Sequence, residues 1–265
     1  MKKYLVIGNP IKHSLSPKLH NYWIKLNKFN AIYEKRKLDE KNLKDIIFKI
    51  KKKKINGINV TVPFKNKIIP YLDKLSLEAE KTQSVNTICL KNDKIFGYNT
   101  DIDGFEFSLN NLKFNVKKKK VFILGSGGVV PSIIFALKKL KVLDITLSNR
   151  TRSKAENLKN LFEDLKVIDW GKVPNFDIII NATSIGLKKD DKIGIDLSEI
   201  GENKLFYDVI YNPKQTNFLK IGKKLGNKTE NGMMMFIYQA YSAFKLWHGI
   251  YPKVNKKVTK LLIDD

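Results

Sequence analysis

Short apolar runs alternate with amphipathic stretches along almost the whole chain, which is the pattern of an α/β protein. In the first hundred residues, apolar or alternating runs predict strands over 4–8, 31–37, 57–62, 85–90 and 94–98. Apolar positions at helical spacing predict helices over 17–26, with Ser16 as the N-cap candidate, and over 40–50. A connecting helix is expected from 103 to about 112, opening on acids that suit a helix N-terminus.

A second register begins at residue 118. KKVFILGSGGVVPSIIFALKKL reads as an apolar strand, a glycine turn and an amphipathic helix. The strand DITLSNR, the helix SKAENLKNLF and the strands LKVIDW, DIIINATSIG and KLFYDVIY follow. Near-continuous apolar strands with helices between them predict a parallel sheet covered on both faces, hence a doubly wound domain. The last long helix, from 233 to about 248, is apolar on most faces, as a buried helix returning to the first domain would be. The expected organisation is therefore two-domain α/β. Residues 1–102 form the first domain, completed by C-terminal helices in 236–265, and residues 103–235 form the doubly wound one.

Composition narrows the classes. With 265 residues, 43% hydrophobic and 11% aromatic, the chain can bury a sizeable core. No apolar run is long enough to span a bilayer, and MKKYLVIGNP lacks a small-residue cleavage site, so it reads as a first strand. The single Cys89 excludes an internal disulfide framework and fits a reducing compartment, so a cytoplasmic location is expected. Histidines at 13, 20 and 248 lack metal-ligand spacing, and no metal is expected. The net charge of +24 raises nucleic acid as a partner. But only Arg36, Arg150 and Arg152 are arginines; the other 47 cations are lysines spread along the chain. That reads as a bias at solvated positions, and specific nucleic-acid binding is not expected.

Two stretches carry candidate chemistry. In INVTVPFKNK, Lys65 follows directly on an apolar strand and a proline. It is either one more surface charge or a working lysine, and the stretch alone leaves both open. In ILGSGGVVPS, Gly125, Ser126, Gly127, Gly128 and Val129 lie between a strand and a helix, where a glycine turn can cradle a pyrophosphate. Val130 fills the third glycine position of the dinucleotide fingerprint, so the match is incomplete. The next strand ends in SNRTRSK, 25 residues beyond Gly125, where an NAD site normally places an acid. Asn149 and Arg150 stand there instead, and a guanidinium suits a 2′-phosphate; this points to NADP(H) over NAD(H).

HSLSP, NVTVPFK, SVNT, GYNTD, GSGGV, NRT, NATSIG, YDVIYNP and QAYSAFKLWHG occur in that order between about residues 4 and 250. Together they resemble the shikimate dehydrogenase family. The resemblance implies an N-terminal α/β substrate domain, a Rossmann-like NADP-binding domain and an active site in the cleft between them. The implied reaction is the reversible NADPH-dependent reduction of 3-dehydroshikimate to shikimate, on the route to chorismate and the aromatic amino acids. It makes Lys65 and Asp101 the catalytic pair. It places Ser14, Ser16 and Tyr211 on the substrate carboxylate, and Thr61, Asn86, Asp101 and Gln239 on the ring hydroxyls. It assigns Gly125, Ser126, Gly127, Gly128 and Val129 to cofactor phosphates and Asn149, Arg150, Thr151, Arg152, Ser153 and Lys154 to the 2′-phosphate. Thr183, Val209 and Gly232 match positions near the nicotinamide. The sequence departs from the family at Val209, where methionine is frequent, and at QSVNT, where GAVNT is usual. The rival readings are a quinate/shikimate paralogue that favours NAD, and a catalytically silent NADP(H)- or nucleic-acid-binding module. Small-molecule substrate is the expected partner, without a membrane, in a monomer or homodimer.

Overall fold

The computed structural model describes residues 1–188 and 190–263. The chain forms two compact units, 1–104 with 237–265, and 105–236.

The first unit opens with β1 (Lys2–Gly8), α1 (Ser16–Leu26) and β2 (Ala31–Lys37). A 3-10 turn then leads into α2 (Leu43–Lys51), followed by β3 (Gly57–Val60) and β4 (Lys74–Leu75). α3 (Leu77–Thr82), β5 (Thr87–Lys91) and β6 (Lys94–Tyr98) follow, and α4 (Asp101–Asn111) begins in this unit. The sheet order is β2-β1-β3-β5-β6-β4. β1 pairs parallel with β2 and β3, whereas β5 runs antiparallel to β3 and β6. One core is aliphatic, with Leu5, Ile7, Ile47, Ile50, Ile58 and Val60 among its members. A second cluster is aromatic and joins Tyr4, His20, Trp23 and Tyr33 to the later helix that carries Phe244 and Trp247. A Cβ on Gly57 would lie 2.3 Å from the Trp247 indole, so a strand position here has to be glycine.

The expected strand 57–62 stops at Val60. Thr61 still donates to Ile7 O, but its own carbonyl then accepts from Phe64 N, closing a turn around Pro63 that leaves the sheet. Ser16 is not the N-cap of α1: it is the first helical residue, Leu15 is the cap, and Ser14 Oγ accepts from Ser16 N at 3.4 Å. α3 and the two-residue β4 had no periodic signal to announce them.

The second unit holds β7 (Lys120–Leu124), α5 (Val130–Lys139), β8 (Asp144–Ser148) and α6 (Arg152–Glu156). β9 (Lys166–Ile168), β10 (Ile178–Asn181), β11 (Leu205–Asp208), α7 (Asn217–Lys224) and β12 (Lys228–Glu230) complete it. α8 (Met233–His248) starts here and, with α9 (Lys256–Ile263), continues in the first unit. All five pairings are parallel, in the order β12-β11-β10-β7-β8-β9. Numbered within the unit this is the doubly wound order 3-2-1-4-5-6, and its direction reverses between β7 and β10. β10 and β11 are buried throughout, which is why their sequences are near-continuous apolar runs. The helix expected over 153–162 breaks after Glu156 into a 3-10 turn, Asn157–Asn160, whose two asparagines favour local hydrogen bonding over helix. No helix among the described residues is long and apolar enough to cross a membrane.

Candidate active site

In the first unit, β3 and the turn at Pro63 deliver Lys65, and the N-terminus of α4 delivers Asp101. Phe64 anchors the turn in the core at 2% exposure, and Lys65 O accepts from Val85 N at 2.8 Å. Lys65 Nζ lies 2.5 Å from Asp101 Oδ2, with side-chain exposures of 14% and 9%. Lys65 is therefore the partnered, largely buried lysine of the two alternatives. Asp101 sits in the first turn of its helix, where a negative charge is favoured, and its backbone N–H donates to Asn99 Oδ1 at 3.2 Å.

Asn86 fixes the other carboxylate oxygen. Its Nδ2 donates to Asp101 Oδ1 at 2.8 Å. Its Oδ1 accepts from Thr100 N at 2.8 Å, from Thr100 Oγ1 at 3.1 Å and from Thr87 Oγ1 at 3.0 Å. Asn59 extends the network, donating to Thr87 Oγ1 at 2.9 Å and to Asn86 O at 3.1 Å, and accepting from Tyr33 OH at 2.6 Å. Burial pushes the Tyr33 phenol well above its ordinary value, opposed by a hydrogen bond with the Ser16 side chain. The Tyr33 proton is committed to Asn59, so Ser16 is the donor in that bond. A continuous relay thus runs from Ser16 through Tyr33, Asn59, Thr87 and Asn86 to the Lys65–Asp101 pair. Tyr33, Asn59 and Thr87 were not among the candidate residues; an asparagine inside the apolar run INV was the signal, since a buried amide requires partners. Ser14 and Thr61 are half-buried in the same unit, and Gln239 is half-buried on α8.

The second unit holds the other candidates. Tyr211 follows β11 and packs against Phe236, the rings tilted by 32° with centroids 4.9 Å apart. At the turn after β7, Gly125 has φ +104°, and a Cβ there would meet Ala182 O at 2.9 Å. The fold itself demands that glycine. Gly128 has nothing within 4 Å of a built Cβ, and Gly127 only Ala182 O at 3.8 Å. Among the described residues no neighbour requires glycine at either position, and the space above both admits a phosphate close to backbone. α5 follows with no side-chain cap and no acid in its first turn, so its positive end is open to an anion. Ser126 and Val129 complete the turn.

At the end of β8, Asn149 Nδ2 donates to Thr151 O at 2.8 Å, which shapes the loop. Arg150, Thr151, Ser153 and Lys154 are exposed. Among the described residues, Arg150 and Lys154 form no ion pair. Arg152 differs: it bonds Asp169 and, at 3.1 Å, Glu156 Oε1. Its guanidinium is occupied by carboxylates, whereas Arg150 and Lys154 are exposed and open to an anion. Thr183 lies in the loop after β10 and donates to Asn181 Oδ1 at 2.7 Å. Gly232 is forced by packing, because a Cβ would stand 2.1 Å from Val209 O. No group of three or more His, Cys, Asp or Glu able to hold a metal occurs among the described residues. His20 and His248, far apart in sequence, share one aromatic cluster, where burial lowers their pKa values to about 3 and about 4.

An open glycine turn at the head of a 3-2-1-4-5-6 parallel sheet, with an exposed arginine at the end of the second strand, defines the class of Rossmann-like NADP-binding oxidoreductases. The profile of the shikimate dehydrogenase substrate-binding domain matches residues 6–88, and that of shikimate/quinate 5-dehydrogenase matches 108–189. The NADP(+) shikimate dehydrogenase of Pelagibacter ubique (strain HTCC1062) is 60% identical over 261 residues, 98% of each chain. A shikimate dehydrogenase crystallised with NADP+ superposes with TM-score 0.93 at 36% identity, covering 100% of this chain and 95% of that one. The Thermus thermophilus enzyme, solved with NADP(H) and shikimate, gives 0.89 at 28% identity, covering 99% and 97%. The chain belongs to the shikimate dehydrogenase family.

Proposed function

We propose that this chain catalyses the reversible NADPH-dependent reduction of 3-dehydroshikimate to shikimate, with Lys65 and Asp101 as its catalytic pair. The reaction is an oxidoreduction at a CH–OH group in the route to the aromatic amino acids. The observation that carries the site assignment is the Lys65–Asp101–Asn86 constellation, in which a lysine ammonium is held by a carboxylate that an amide orients from the other side. NADPH, when bound, supplies the hydride. The chain's own residues manage the proton and the geometry. Lys65 Nζ donates to the carbonyl oxygen as it becomes a hydroxyl and takes the proton back in the reverse direction. Asp101 holds Nζ in place, and Asn86, its Oδ1 fixed by Thr87 and Thr100, keeps the carboxylate from turning with one Nδ2 proton. Ser14 and Tyr211 take the substrate carboxylate, joined by the Ser16 hydroxyl as it turns from Tyr33, and Thr61, Asn86, Asp101 and Gln239 take ring hydroxyls. The open turn at Gly127 and Gly128 receives the cofactor phosphates, and Arg150 with Lys154 the 2′-phosphate. Thr183, Val209 and Gly232 serve the nicotinamide end.

The deciding assay follows absorbance at the NADPH band with shikimate or quinate, each offered with NADP or NAD. Turnover confined to shikimate with NADP is the expected result. Turnover with quinate or NAD moves the chain to the paralogous activity, and a folded protein with no turnover on any pair refutes the reading.

A further inference from the structure

Loops leave the carboxyl ends of β10, β11 and β12, on the side of a parallel sheet where ligands bind. One buried carboxylate ties these loops together. Asp208, the last residue of β11, is fully buried. Its Oδ1 accepts from Asn181 Nδ2 at 3.1 Å and from Ile210 N at 3.0 Å, and its Oδ2 accepts from Thr216 Oγ1 at 2.6 Å. Each bond reaches a different piece of backbone. Asn181 passes the hold to the first loop, since its Oδ1 accepts from both the N–H and the hydroxyl of Thr183. Thr183 Oγ1 in turn accepts from Ile185 N at 3.0 Å. Ile210 passes it to the third loop, because its carbonyl accepts from Gly232 N at 3.1 Å. There Val209 O approaches so closely that only glycine fits at 232. Thr216, also the N-cap of α7, pins the return of the second loop.

A carboxylate with no exposed surface, held by three protein donors, is out of reach of substrate. Burial nevertheless opposes its charge and raises its pKa to about 6, against the pull of Thr216, Ile210 and Asn181. An apolar residue would avoid that cost, but it would leave three buried donors without an acceptor.

We propose that Asp208 is a positioning residue for the cofactor: it locks Thr183, Val209 and Gly232 into one surface without touching the ligand. The inference rests on the reading of those three residues as cofactor contacts. The experiment measures NADPH affinity by fluorescence titration of the full chain, beside the KM values for NADP and shikimate. Asp208→Ala should weaken NADPH binding and raise the NADP KM about tenfold, the order expected for lost buried hydrogen bonds. The shikimate KM should rise less, by about threefold at most, since Tyr211 is the one proposed substrate contact on a loop that Asp208 holds. Asp208→Asn should recover to within about threefold of wild type, because its amide oxygen still accepts from Asn181 and Ile210. A folded Asp208→Ala protein with wild-type NADPH affinity overturns the proposal. So does an equal rise in both KM values, or an Asp208→Asn no better than alanine. If Asp208→Ala does not fold, Thr216→Val removes one of the three donors, and the α7 N-cap with it, and should weaken NADPH about threefold; no change overturns the proposal equally. Wild-type protein inert toward shikimate would refute the proposed reaction, while the NADPH titration would still decide this inference.

Discussion

Lys65 and Arg150 are both single cations in a chain of fifty, and they stand in opposite surroundings. Lys65 is largely buried and already bound to Asp101, whose second oxygen is bound to Asn86. Arg150 is exposed and, among the described residues, forms no ion pair. The difference follows from what each would meet. A ketone or hydroxyl is neutral, so the charge beside it has to be supported by the protein. A 2′-phosphate brings its own charge, so the cation that receives it is best left open. Arg152 makes the contrast sharper, since two positions away the same side chain is taken up by Asp169 and Glu156.

The largest effect should come from Lys65. Lys65→Ala should lower kcat by about 10²- to 10⁴-fold, the range for losing a positioned proton donor. The shikimate KM should move by less than about fivefold, because the lost interaction belongs to the transition state. Steady-state kinetics decides it, and a near-normal kcat would erase the distinction drawn between a preset and a free cation.

Next in size is the arginine pair. Arg150→Ala should raise the NADP KM by about tenfold or more, the loss of a charge-assisted contact to phosphate. Arg152→Ala should shift it by no more than about threefold, since its exposed ion pairs contribute little. Equal effects at the two positions would show that Arg152 leaves its carboxylates to meet the ligand.

The fold and the two candidate sites were legible in the sequence for different reasons. β10 and β11 announced themselves because strands buried on both faces are apolar without interruption. Lys65, Asp101, Asn86 and the glycine turn stood out because their motifs fall in one order along the chain. The supporting residues did not stand out. Tyr33, Asn59 and Asp208 act through partners 26 or 27 residues away, and such pairings are set by sheet register, which a local pattern does not carry. Gly127 and Gly125 look alike in sequence, yet only Gly125 is required by φ and by Ala182 O. β4 and β12, two and three residues long, are too short for a period to register.

The smallest expected effect concerns the departure at QSVNT. Gln83 caps α3 in the left-handed region, with φ 47° and ψ 40°. The glycine usual in the family suits that backbone, whereas a Cβ there is disfavoured. Gln83 offsets part of the cost through Nε2, which donates to Glu80 O at 2.8 Å on the surface. Gln83→Gly should therefore stabilise the protein by about 0.5–1 kcal/mol, a rise of roughly 2 °C in thermal midpoint. Val85, two residues on, is bonded to Lys65 O, so the change touches the scaffold of Lys65 and none of its side-chain partners. kcat should stay at its wild-type value. A stabilised protein with unchanged kcat would show that Lys65 is held by its own side-chain partners. A fall in kcat would mean that the α3 cap also sets the lysine, and the contrast with Arg150 would then extend into the backbone beneath it.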